Sequence, residues 1–113
     1  MTAGLRRKPK GEYRSVVVVE AHGMRFRACD RWVSFTPADP GKPSPAGELR
    51  VFCGAQHVGW LFPDGDGWRW THRRGLSGHM DSRRLFDSAE KALRGLAATA
   101  LGRRIAADER RLR

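Results

Sequence analysis

Residues 48–72 read ELRVFCGAQHVGWLFPDGDGWRWTH, three short apolar/polar alternations separated by turn sequences. Leu49, Val51 and Cys53 share one parity, Gly54-Ala55-Gln56 offers a turn, and Val58, Trp60 and Phe62 fall together in the next run. Pro63 to Gly67 is a dense turn, after which Trp68 and Trp70 alternate with Arg69 and Thr71. Successive strand side chains point to opposite faces, so each run has one face to bury, and the turn residues reverse the chain between them. The expectation is a three-stranded antiparallel meander.

Upstream, Ser15 to Glu20 places valine at four successive positions, which fits a strand buried on both faces, because valine loses χ1 freedom in a helix. His22-Gly23 is a turn signal, and Arg25 to Phe35 reads as a second antiparallel strand whose alternation fails at Asp30, the mark of a bulge or strand end. Four prolines and two glycines between Pro37 and Gly47 predict a loop at 37–47. Residues 1–12 read as a basic arm and 13–113 as one domain, since neither side of that loop is long enough for its own core.

Downstream, Arg73 to Arg84 reads as a long loop or irregular edge. Asp87-Ser88-Ala89-Glu90 has the form of a capping box with the Asp87 carboxylate as cap. Ala89, Ala92, Leu93, Leu96, Ala97, Ala100 and Leu101 then recur at helical steps as one stripe. Gly102 is a stop signal, yet Ile105 and Leu112 keep the phase beyond it. The predicted fold class is α+β: an antiparallel sheet of about five strands with one long C-terminal helix packed on one face. Its core draws on Val17 or Val19, Phe26, Val51, Trp60, Trp68, Trp70, Leu93, Leu96 and Leu101.

The 113 residues carry 22 lysines and arginines against 12 carboxylates, a net charge of +10, which points to a polyanionic partner. The longest aliphatic run, Val16 to Val19, is far short of the roughly 20 residues that cross a bilayer, so no membrane span is expected. No secretion signal follows the basic N-terminus, and Cys29 and Cys53 read as reduced, apolar strand residues of a cytoplasmic protein.

Arginines concentrate between Trp68 and Arg84, where Arg69, Arg73, Arg74, Arg83 and Arg84 stand with His72 and His79 against the single carboxylate of Asp81. Planar guanidinium forks donate in pairs to phosphates and base edges, making this the expected contact surface; a solvated arginine face is the simpler alternative. Arg6, Arg7, Lys8 and Lys10 would add nonspecific affinity, and Arg103 and Arg104 a secondary surface. Trp60, Trp68 and Trp70 could form a stacking platform, but packing against the helix explains them more simply. Cys53 and His57 are the only residues spaced like a zinc-ligand pair, without CxxC or HxxxH, and neither a metal nor another cofactor is expected. Cys29 beside Asp30 and Ser77 near His79 lack any accompanying catalytic motif, so no enzyme is expected.

The order Val58-Gly59-Trp60, a glycine-rich turn into Gly67-Trp68-Arg69-Trp70, then Leu85-Phe86-Asp87 leading into a helix with Ala92 and Leu93 resembles AP2-like DNA-binding domains, also found as arm-binding modules of tyrosine integrases. The resemblance spans residues 58–101 and implies three strands backed by one helix. It further implies a sheet laid in a major groove by Arg69, Thr71 and Arg73, opposite Trp68 and Trp70. Together these readings predict a small, basic, non-catalytic nucleic-acid-binding protein, with duplex DNA slightly preferred over RNA. The alternative is a small regulator or inhibitor that uses its charge to bind an acidic surface of a host protein in a nucleic-acid-processing machine.

Overall fold

A computed structural model describes residues 11–34, 42–43, 47–72, 82 and 84–112. The sheet runs β1 (Gly11–Ala21), β2 (Met24–Ser34), β4 (Leu49–Cys53), β5 (Gln56–Asp64), β6 (Gly67–His72) in spatial order, every neighbour antiparallel. The two-residue β3 (Lys42–Pro43) pairs with β2 at Arg31 and Trp32. Two helices follow, α1 (Ala89–Ala97) and α2 (Ala100–Arg111). The fold is therefore α+β with a five-stranded antiparallel path, as the alternations predict, but with two C-terminal helices rather than one long one.

Residue Thr99 makes the difference. Its backbone is extended at ψ 161°, which ends α1, and its hydroxyl donates to the Leu96 carbonyl (2.6 Å) and accepts from the Gly102 amide (3.1 Å), which starts α2. Gly102 does not stop a helix; it stands in the first turn of the second one. A Cβ there would lie 2.5 Å from the Ala97 carbonyl oxygen, so only glycine fits inside this corner. The first helix is also capped one residue later than the box suggests: Ser88 Oγ accepts from the Lys91 amide (3.1 Å), while Asp87 pairs with the Lys91 ammonium.

Both helices cover one face of the sheet. Val19, Phe26, Ala28, Val51, Cys53, Val58 and Leu61 from the strands meet Ala92, Leu93, Leu96, Ala97, Ile105 and Ala106 from the helices, with Val17, Trp68, Trp70 and Leu101 partly buried around them. The expected core is present except for Trp60. A bulge in β5 explains it: Phe52 pairs with His57 and Val51 with Gly59, leaving Val58 as the extra residue. The inserted residue shifts the parity, so Val58 turns to the core and Trp60 to the opposite face.

Strand β1 is an edge strand, not one buried on both faces: Val16 and Val18 are 45% and 44% exposed. It begins at Gly11, so the last residues assigned to the basic arm, Gly11 and Glu12, belong to the sheet. The expected irregularity at Asp30 is a bulge in the β1–β2 ladder, where Arg14 pairs with Arg31 and Ser15 with Cys29. Arg14 bonds the Asp30 carboxylate through two nitrogens, which holds that carboxyl below its usual range and raises the guanidinium's own pKa. At the far edge, Phe86 exchanges backbone bonds with Trp68 (2.7 and 2.8 Å) and the Ser82 amide donates to the Trp70 carbonyl (2.8 Å), covering part of β6.

The hairpin tips anchor the helices. His22 and Gly23 both have positive φ, as a two-residue reversal of this hand requires, and His22 Nε2 lies 2.9 Å from the Ala97 carbonyl at the end of α1. The β4–β5 turn is gripped by Glu109 of α2, which accepts from the Ala55 amide (2.7 Å) and the Gln56 side chain (3.1 Å).

Candidate nucleic-acid interface

The sheet face away from the helices is built from the alternate residues of the same strands. In register across all five lie Ser15, Cys29, Arg50, Trp60 and Thr71; beside them run Val18, Arg27, Phe52 and His57. Rings join across these rows. Trp32 meets Tyr13 edge-on at a centroid distance of 5.1 Å, Tyr13 reaches Phe52 at 4.6 Å, Phe52 lies 5.3 Å from His57, and His57 meets Trp60 edge-on at 4.5 Å. The five rings form one continuous chain over β1, β2, β4 and β5, all of them half-buried.

Tyr13 and Phe52 belong to strands on either side of β2, so their contact bridges that strand. Beneath the bridge Cys29 is fully buried, with Sγ 3.8 Å from the Ser15 hydroxyl, and its burial raises the thiol pKa. A neutral, enclosed thiol beside a carboxylate held by Arg14 does not make a nucleophile–base pair. Cys53 points into the core on the other face and His57 onto this one, so the zinc-like spacing joins side chains on opposite sides of the sheet. The two cysteines are likewise on opposite faces and unbridged. Among the described residues no group of three or more histidines, cysteines, aspartates or glutamates could hold a metal ion.

Guanidiniums accompany the rings. Arg50 donates to the Tyr13 hydroxyl (3.4 Å) with its charge 5.9 Å from the ring centroid, and Arg27 donates to Ser15 (3.3 Å) next to Phe52 in the register. The ring contact and hydrogen bond hold the Arg50 guanidinium against Tyr13.

The residues singled out from sequence are dispersed. Arg69 reaches this face but is committed internally, to Asp64 (2.5 Å) and to the Ser82 carbonyl (2.9 Å). Thr71 stands in register with Trp60, its hydroxyl buried and with no hydrogen-bond partner among the described residues. Arg84 is exposed at the β6 edge, 5.4 Å over the Phe86 ring. Arg103 and Arg104 are exposed on α2, in the helix layer on the opposite side. Arg6, Arg7, Lys8, Lys10, Arg73, Arg74 and Arg83 lie outside the described residues. Arg27, Arg50, Tyr13, Trp32, Phe52 and His57 were missed. In the sequence Arg25 and Arg27 alternate with Phe26 and Ala28, a signal that separates Arg27 from the core; what joins the rings is strand order, which no local pattern carries.

Among the described residues no helix is long and apolar enough to cross a membrane. No family model, curated protein or solved structure matches the chain.

Proposed function

We propose that this protein binds nucleic acid without catalysis, and that the contact surface is the ring-and-guanidinium face of its sheet. The observation that carries the reading is the coupling of Arg50 to Tyr13 inside a five-ring chain, on the one sheet face the helices leave uncovered, in a chain of net charge +10. Guanidinium forks meet phosphates, and aromatic rings offer bases a surface. The reading thus rests on residues other than Arg69, Thr71 and Arg73, assigned by resemblance: on this face Arg69 is bonded to Asp64 and the Ser82 carbonyl, the Thr71 hydroxyl is buried, and Arg73 lies outside the described residues.

Salt dependence tests it. Neutralised phosphates release counterions, so log K falls linearly with log salt, by roughly 0.7 to 0.9 per phosphate contact; Arg27→Ala and Arg50→Ala should each reduce that slope by about one contact. Anisotropy titrations showing salt-indifferent affinity would overturn the reading.

A second reading, a regulator binding a protein of a nucleic-acid-processing machine, is favoured by one observation: the exposed Val16 and Val18 on the edge strand β1. A pull-down with and without nuclease separates the two, because only a protein partner survives digestion.

A further inference from the structure

Resting on that reading of the sheet face, we infer that the polymer bound there is single-stranded, its bases stacking on the chain of rings from Trp32 to Trp60 while Arg27 and Arg50 take the phosphates. In a duplex the bases hide their flat faces in their own stack and present only edges, sugar and phosphate, so a row of aromatic rings finds no base face to stack on. An unpaired strand offers a π-face at every nucleotide. The rings here step by centroid distances of 4.5 to 5.3 Å without interruption, across four strands and on the side opposite the helices.

The shape of the face agrees. A major groove about 12 Å wide admits a helix or a two-stranded ribbon. The Ser15-to-Thr71 register row runs across five strands, about 19 Å at the usual inter-strand spacing. A flexible single strand can lie across such a surface. Charge favours it too: Glu20 pairs in register with Arg25, and Asp64 is taken up by Arg69, while Arg27 and Arg50 stand within the ring chain itself.

The test uses the full chain and three labelled probes of equal length: oligo-dT, oligo-U and a mixed-sequence DNA duplex. The expected result is at least tenfold tighter binding of a single strand than of the duplex, with quenching of tryptophan fluorescence. Whichever of oligo-dT and oligo-U binds more tightly identifies DNA or RNA as the source, and either supports the inference. Trp60→Leu should weaken single-strand binding about 5- to 100-fold while leaving the salt slope unchanged, and Trp60→Phe should restore most of it. Should Trp60→Leu fail to fold, the competition and quenching with the unaltered chain still decide the matter. Equal or tighter duplex binding, or single-strand affinity indifferent to a folded Trp60→Leu, overturns the inference but leaves nucleic-acid binding standing. Absence of salt-dependent binding to every probe overturns both.

Discussion

The Glu109 carboxylate accepts the backbone amide of Ala55 at 2.7 Å, tying the end of α2 to the turn between β4 and β5. The bond spans 54 residues of sequence. Beside it, Gly54 has φ +59°, and a Cβ there would stand 1.8 Å from Glu109 Oε1. Gly54→Ala should therefore cost about 1–3 kcal/mol from the backbone conformation alone, and more from displacing the carboxylate. Chemical denaturation measures the difference; an unchanged midpoint would show that the helix end is not held there.

The same carboxylate makes an acid-sensitive contact. The Gln56 side chain and the Ala55 amide hold the Glu109 pKa below its ordinary value. A depressed folded pKa means that the stabilisation is complete above the unfolded value, about 4.3, and is lost as pH falls through the folded one. Melting temperatures followed from pH 7 down to pH 3 should show Glu109→Gln to be less stable than the parent at neutral pH. The gap should close as the solution is acidified.

Leu96 is fully buried between helix and sheet. Leu96→Ala leaves a cavity there and should cost roughly 2–5 kcal/mol. Arg103→Ala and Arg104→Ala, on the exposed side of α2, should each change stability by less than about 0.5 kcal/mol. If Leu96→Ala left the melt unchanged but abolished self-association, the stripe would be an interface between chains.

The start of α1 separates the cap expected from sequence, Asp87, from the cap the structure shows, Ser88. Ser88→Ala removes the acceptor of the Lys91 amide and should cost about 0.5–2 kcal/mol, whereas Asp87→Ala loses only an exposed pair with Lys91 and should cost well under 1 kcal/mol. Thr99→Ala should match Ser88→Ala or exceed it, because Thr99 both ends α1 and starts α2. Denaturation midpoints of the three variants should fall in that order.

Local patterns alone determined the five strands, the helical start after Phe86, the break in alternation at Asp30 and the surplus of positive charge. Each depends on neighbours a few residues apart: period-two alternation, turn chemistry, capping side chains, and simple counting. Three features required the tertiary structure. The β5 bulge at Val58 moved Trp60 from the core to the outer face, because one inserted residue inverts side-chain parity beyond it. The corner at Thr99 was masked by the apolar stripe, which keeps its phase while the helix axis changes direction. The ring-bearing face proposed for binding depends on β2 lying between β1 and β4, which lets Tyr13 reach Phe52 and closes Cys29 beneath them; spatial order is set by which faces bury together, and residues 39 positions apart carry no local trace of meeting.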